Sequence, residues 1–208
     1  MPYSTPFIIF VGGPSGAGKT TLARMLSEHY RVPCVSEDSY FRGAKNPNEN
    51  IDQPSAVDHT LLSEHLKKLK SNDSIEQPTY DHSTLSRKSE TLTVKPDQII
   101  IIEGMFLFSN PEIRKLCDFG VYVHAPQAIC LGRRMVRDEK ERAVSPKQTI
   151  KYYKENVSPG FFQYVEPGKK SADYIFDNSK EPNLQKNFES LTSAIDAEFY
   201  RISPRAKL

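Results

Sequence analysis

The octapeptide Gly13-Pro14-Ser15-Gly16-Ala17-Gly18-Lys19-Thr20 fits G-x-x-x-x-G-K-[ST] at every fixed position, and nothing else in the chain narrows the fold as far. A continuous apolar run, Phe7-Ile8-Ile9-Phe10-Val11, enters it, as a strand buried on both faces of a parallel sheet would. The spacing predicts a helix leaving it, from about Lys19 to Tyr30, with Leu22, Met25, Leu26 and Tyr30 on one face. Strand, glycine-rich turn and helix together are the context this motif requires. With glycine usage near ~7%, the motif alone should arise by accident in fewer than roughly one chain of this size in a hundred. The residue types follow from the chemistry. Glycines let the backbone turn tightly and aim N–H groups at phosphate oxygens, and a helix N-terminus adds a positive dipole end. The nucleotide-binding set is therefore Gly13, Ser15, Gly16, Ala17, Gly18, Lys19, Thr20 and Thr21. Lys19 would reach the β- and γ-phosphates, and the Thr20 hydroxyl would ligate Mg²⁺.

The rest of the chain alternates strand and helix. Val32–Ser36 reads as a short second strand, Gly43–Ser55 as a polar loop and Val57–Lys70 as an amphipathic helix with Val57, Leu61, Leu62, Leu66 and Leu69 inward. Ser74–Val94 reads as two extended segments around a polar turn. Gln98–Ile102 and Phe119–Val123 are further buried strands, and Tyr174–Phe176 is the last. Gln127–Arg142 and Pro146–Val157 read as helices, with Ser158-Pro159-Gly160 breaking the run. Asn183–Tyr200 repeats Leu184, Phe188, Leu191, Ile195 and Phe199 at helical spacing. This order implies an α/β fold with a parallel sheet covered by helices on both faces. At 208 residues the expectation is one domain, 1–208.

A phosphate cradle does not name a reaction. Three other features bear on it. Val35-Ser36-Glu37-Asp38 places two acids just past the second strand, at the rim that carries the cradle. Asp38 could deprotonate an attacking hydroxyl or hold Mg²⁺ through water, and it could also cap a helix. Ile99-Ile100-Ile101-Ile102-Glu103 ends a buried strand with a carboxylate that a metal would partner. From Leu131 to Lys170, ten bases stand against five acids. The excess of +5 exceeds the +2 of the whole chain. Arg134, Arg137 and Arg142 would lie near one another on one unbroken helix, where they could close over transferring phosphate.

So small an overall charge argues against a dedicated nucleic-acid binder. The apolar runs are too short to cross a bilayer, and the N-terminus lacks a basic region leading into an apolar stretch. Cys34, Cys117 and Cys130 lie far apart, at no metal-ligand spacing, as free thiols of a reducing compartment would. The expected location is cytoplasmic. His29, His59, His65 and His124 show no interpretable spacing.

Beyond the cradle, several stretches appear in order from about Phe7 to Asn178. They are Glu37-Asp38-Ser39-Tyr40-Phe41, Ile51-Asp52-Gln53-Pro54, Pro78-Thr79-Tyr80-Asp81, Ile102-Glu103-Gly104, Arg133-Arg134-Met135-Val136-Arg137-Asp138 and Phe161-Phe162-Gln163-Tyr164-Val165-Glu166-Pro167. Together they resemble the uridine kinase family, within the phosphoribulokinase and uridine kinase group of P-loop kinases. The resemblance implies a P-loop NTPase fold with a five-stranded parallel core, a small β-hairpin insertion at about 43–96 and a basic helical lid at about 131–168. It implies ATP or GTP as donor, Mg²⁺, and the 5′-hydroxyl of uridine or cytidine as acceptor. By carry-over Asp38 is the base, with Lys19 and Arg137 also catalytic. Asp52 holds ribose hydroxyls, and Tyr80, His82 and Arg87 belong to the acceptor side. Arg134 and Arg137 serve the phosphates and the lid, with Arg142 at the donor. Thr20, Asp38 and Glu103 are the metal set. Family members of this type are often tetramers, so a homo-oligomer is implied.

The departures from the family pattern gather on the acceptor side. His82 and Leu85 stand where the family has an aromatic and a pyrimidine-reading histidine, and leucine offers no hydrogen bond. Gln53, Ala143-Val144, Tyr152 and Ser158 replace a histidine, a Gly-Arg pair, a glutamine and an arginine. Two rivals stay open. One is a kinase for another small hydroxyl acceptor, such as nicotinamide riboside, pantothenate or a sugar phosphate. The other is a nucleotide-binding regulatory module without acceptor turnover.

Overall fold

A computed structural model of the chain describes residues 5–43, 49–179 and 184–203. Its strands are β1 (Phe7–Gly12), β2 (Cys34–Ser36), β3 (Ile75–Asp81), β4 (Ser86–Val94), β5 (Ile99–Glu103), β6 (Phe119–His124) and β7 (Tyr174–Asp177). Five of them form one sheet in the order β2-β5-β1-β6-β7, with every neighbouring pair parallel. β3 and β4 form a separate antiparallel hairpin. The helices are α1 (Lys19–Tyr30), α2 (His59–Lys70), α3 (Pro111–Arg114), α4 (Gln127–Arg142), α5 (Pro146–Tyr152), α6 (Ser158–Gly160) and α7 (Leu184–Ile202).

The two core clusters show why the central strands are apolar without alternation. Phe7, Ile9 and Val11 of β1, with Ile99 and Ile101 of β5, pack against Leu22 and Leu26 of α1 and Leu191, Ile195 and Phe199 of α7. Ile8, Phe10, Ile100 and Ile102 face the other way, onto Leu62, Leu66 and Leu69 of α2 and Ile113 of α3. Successive residues of a strand point to opposite faces, so a strand covered on both needs an apolar side chain at every position. Each fully buried side chain of this size contributes about 1.5–3 kcal/mol.

The strand order gathers the polar residues at one rim. β5 lies between β1 and β2. The C-terminal ends of β1, β5 and β2 therefore stand side by side and carry the glycine-rich loop, Glu103 and the Asp38 turn.

Several expectations change in detail. The second strand starts at Cys34, although the Pro33 carbonyl still accepts from Ile101 N at 3.0 Å. The Val57–Lys70 helix starts at His59. Asp58 is its N-cap, accepting from Leu61 N at 3.3 Å, and Val57 bridges to Phe41 instead. Residues 44–48 of the polar loop, and Asn183 at the start of the last helix, lie outside the described residues. Pro54–Ala56 forms a single 3₁₀ turn.

The largest change is at Ser158-Pro159-Gly160, which does not break the run. After α5 the helix widens to a π turn over Tyr153–Val157, continues through α6, widens again over Phe161–Val165 and ends in a 3₁₀ stretch, Glu166–Ser171. Just ahead of Pro159, Ser158 N bonds to the Tyr153 carbonyl five residues back. The widened turn accommodates a proline ring that would collide with the carbonyl four residues back in a regular α-helix. This segment is packed inward through Tyr153, Val157 and Val165.

Ala143 caps α4 in the left-handed region, at φ 53. An L-residue is strained there where glycine is not. Ala143→Gly is expected to stabilise the fold by about 0.5–1 kcal/mol. A thermal melt should rise by about 1–4 °C. Among the described residues no helix is long and apolar enough to cross a membrane.

Candidate active site

A cavity of about 310 Å³ opens along the rim. Ser15, Gly16, Gly18, Lys19, Thr20 and Thr21 line its floor, and Asp38, Asp52, His82 and Glu103 with Arg134, Arg137 and Arg142 line its walls. Thirteen of the residues singled out from sequence thus meet at one place. Phe41, Ile51, Met105 and Arg133 complete the lining and were not anticipated.

The loop between β1 and α1 is shaped by glycines that cannot be exchanged. Gly16 has φ 82, and a Cβ on it would overlap the Cys130 carbonyl. Gly18, at φ 99, is the N-cap of α1, and a Cβ there would overlap the Asn178 amide. Such a loop is a cradle that admits phosphate oxygens but no side chain. Two of the residues expected to face the ligand do not line the cavity. Gly13 is pressed against the Val123 carbonyl. Ala17 is buried beneath the loop. Its N–H is spent on the Pro14 carbonyl at 3.1 Å, and its carbonyl accepts from Asn178 Nδ2 at 2.7 Å and Arg133 Nη1 at 3.4 Å. Lys19 Nζ rests on the Pro14 carbonyl, at 3.1 Å.

A chain of hydrogen bonds runs across the three strand ends. Thr20 Oγ1 donates to Glu103 Oε2 at 3.3 Å, Ser36 Oγ donates to Glu103 Oε1 at 2.5 Å, and Asp38 N donates to Ser36 Oγ at 3.3 Å. Ser36, not Asp38, is the N-cap of the 3₁₀ turn Glu37–Tyr40. That leaves the Asp38 carboxylate about half exposed in the cavity. Glu103 is only 4% exposed. Burial, and then the charge of Asp38, push its carboxyl up to about 7, against the opposing pull of Lys19. A cation beside Thr20 and Glu103 would supply the charge this buried carboxylate lacks, so these residues fit Mg²⁺. The raised pKa also fixes a sign. A carboxyl whose folded pKa lies above its unfolded value adds stability that is present at low pH and lost as pH rises through about 7. The melting temperature of the ligand-free protein should fall across about pH 4.5–7 more steeply than that of Glu103→Gln, and level off above it.

The arginine cluster is organised by an acid that the sequence reading passed over. Asp138, 5% exposed, faces Arg134 at 3.3 Å, Arg137 at 3.0 Å and Arg142 at 3.4 Å. The i, i+4 spacing of Arg134, Asp138 and Arg142 was the available signal. Arg134 also forks onto Asp52, with both nitrogens at 3.0 Å, and its Nη1 reaches Ser15 Oγ at 3.2 Å. Burial lowers the Arg134 pKa, and Asp52 and Asp138 more than reverse this. The guanidinium lies 5.5 Å from the centroid of the Tyr152 ring, whose hydroxyl is pushed up to about 12 by burial and Asp52.

The hairpin reaches the cavity through His82. His82 points Nε2 at Asp38 (3.7 Å) and Nδ1 at Arg142 (3.4 Å), and burial lowers its pKa. Its ring meets Phe41 and Tyr80 edge-on. Tyr80 does not line the cavity, and its buried hydroxyl has no hydrogen-bond partner among the described residues. Arg87 is directed elsewhere. It donates to the Tyr40 carbonyl at 3.0 Å and faces Asp58 at 3.7 Å, which ties the hairpin to the Asp38 turn. Leu85 sits in the hairpin turn at φ 51.

Similarity to known proteins points the same way as this geometry. The model of the Phosphoribulokinase / Uridine kinase family matches residues 8–185. A uridine kinase of Proteus mirabilis (strain HI4320) is 38% identical over 181 residues, covering 81% of this chain and 85% of that one. The solved structure of a possible uridine kinase from Bacillus stearothermophilus is 26% identical, with TM-score 0.55 over 85% of this chain and 91% of that one. Phosphoribulokinase from Rhodobacter spheroides shares the fold at 14% identity, with TM-score 0.64 over 89% of this chain and 74% of that one.

Proposed function

From a chain that belongs to the Phosphoribulokinase / Uridine kinase family, and is therefore a phosphotransferase acting on a hydroxyl, we propose a narrower reading. The protein transfers the γ-phosphoryl group of ATP, or GTP, to the 5′-hydroxyl of uridine or cytidine. The observation that carries it is the meeting of Asp38 with Lys19, Thr20 and Glu103 in one cavity that the Phe41 and His82 rings also line. In this reading the domain is one unit, with an acceptor-side insertion at about 43–96 and a basic lid at about 131–168. It works in the cytoplasm as a homo-oligomer.

The chemistry follows from the residues. Backbone N–H groups of the loop and Lys19 hold the donor phosphates. Thr20 and Glu103, with Asp38 beyond Ser36, would hold Mg²⁺, which neutralises charge on the phosphates when bound. Asp38 orients the attacking hydroxyl and takes its proton as its oxygen bonds to the γ-phosphorus and the bond from that phosphorus to the departing nucleoside diphosphate breaks. Arg137 and Arg142 stabilise the charge on the transferring group, and closure of the arginine wall over it would exclude water. Asp52 receives the ribose hydroxyls, with its carboxylate already oriented by Arg134. Tyr80 and His82 stand on the side of the acceptor base.

The test is ATP- and Mg²⁺-dependent phosphorylation of uridine and cytidine by the purified protein. Product is expected from both. A second reading has the same chemistry on a different acceptor, and Leu85 favours it. The position where the family reads the pyrimidine edge carries no hydrogen-bonding side chain, and the His82 nitrogens face Asp38 and Arg142. Turnover of nicotinamide riboside, pantothenate or a sugar phosphate, in place of uridine, would decide for it. ATP binding without turnover of any acceptor would leave a nucleotide-binding regulatory module.

A further inference from the structure

Glu37 precedes Asp38 and has no part in the chemistry above, yet it is 1% exposed. Its carboxylate turns inward. Oε2 accepts from Phe106 N at 2.8 Å, in the segment that follows β5, and Oε1 faces His59 Nε2 at 3.2 Å, in the first turn of α2. The side chain lies so close over Gly104 that a Cβ there would overlap it. At the other end of the turn, Tyr40 is fully buried. Its hydroxyl meets His65 Nδ1 at 2.9 Å, and its carbonyl accepts from Asp58 N at 2.8 Å. Asp38 is thus the one acid of the turn that reaches the cavity, held between two anchored neighbours.

A buried carboxylate is an expensive anchor. It gives up its hydration, and it stands beside two further carboxylates, Asp38 and Glu103. An apolar side chain would serve packing better, so the arrangement is explained by what it aims. We propose that the Glu37–His59 pair is the positioning device for Asp38, fixing the turn against α2 and the end of β5 so that the base meets the acceptor hydroxyl. The inference rests on the reading of Asp38 as the base. A displacement of about 1 Å at such a group costs on the order of 10²-fold in rate.

The experiment compares Glu37→Ala, Glu37→Gln and His59→Ala by steady-state kinetics on the acceptor that the wild type turns over, by ATP binding, and by amide exchange of residues 37–41. Glu37→Ala is expected to lower kcat by about 100-fold. Its ATP affinity and acceptor KM should stay within about 3-fold, and exchange at 37–41 should quicken by at least about 10-fold. Glu37→Gln keeps an acceptor for Phe106 N and a donor for His59, and should restore kcat to within about 5-fold. His59→Ala should fall between and carries the test if Glu37→Ala does not fold. Full kcat in Glu37→Ala or in His59→Ala would overturn the proposal, as would unchanged exchange at 37–41. Glu37→Gln as slow as Glu37→Ala would also overturn it, because the charge rather than the placement would then matter. The exchange measurement needs no acceptor, so failure of the uridine reading leaves this test standing.

Discussion

Asp38→Asn is expected to lower kcat by about 10²–10⁴-fold, the usual contribution of a positioned general base, while the affinity for ATP stays within about 3-fold. The substitution is the mildest that removes a proton acceptor. It conserves shape, and the turn is held by backbone and neighbouring groups that the change does not touch, namely Ser36 Oγ on Asp38 N and Phe41 N on the Asp38 carbonyl at 3.3 Å. The Asp38 carboxylate faces His82 at 3.7 Å, a half-exposed neighbour, so no buried partner is orphaned. Single-turnover transfer and ATP titration of the same preparation separate the two effects. Unchanged kcat would move the base elsewhere. Collapse of Mg²⁺-dependent ATP binding with little loss beyond it would leave Asp38 only the metal-holding part of its proposed role.

Asp52→Ala is expected to damage stability and acceptor binding together, for one physical reason. Both Asp52 oxygens are bonded to a guanidinium that is 5% exposed. Breaking a buried pair costs about 3–5 kcal/mol because the remaining charge is left without its partner. Arg134 retains Asp138 at 3.3 Å, so the lower end is expected. A domain of this size should lose about 6–12 °C of melting temperature. If Asp52 also holds ribose hydroxyls, KM for uridine should rise by about 10-fold or more, the weight of a hydrogen bond to a charged group. KM for an acceptor lacking the 2′- and 3′-hydroxyls should barely move. Equal changes for both acceptors would make Asp52 a support for Arg134 alone.

The phosphate side of this site was legible because local sequence dictates it. A loop that must show backbone to a phosphate needs glycines, and those glycines sit next to one another in the chain. The strands were legible for a related reason, since Ile99 to Ile102 admit no other environment than cover on both faces. What stayed hidden depends on contacts between distant segments. Nothing near Ala17 announces that its carbonyl is taken by Asn178 and Arg133, or near Arg87 that its partners are Tyr40 and Asp58. His59 had no spacing to interpret because its partner lies 22 residues away. Ser158-Pro159-Gly160 reads as a breaker by composition, and the widened turn before Pro159 comes from a packed segment that propensity does not describe.

The strand order has a consequence for how such a protein can change over generations. Glu103 ends one strand of the sheet, and Lys19 and Asp38 follow the strands on either side of it, so altering their spacing means altering the core. The acceptor wall is assembled from separate pieces outside that sheet. These are the β3–β4 hairpin, the stretch around Asp52, and the arginine helix with its continuation through Tyr152. Each piece can accept a substitution without moving the strands. Gln53, His82, Leu85, Val144 and Tyr152 all lie in or beside these pieces, outside the strands of the sheet. Under the proposed function, such a scaffold would let a lineage try new acceptors while it keeps phosphoryl transfer.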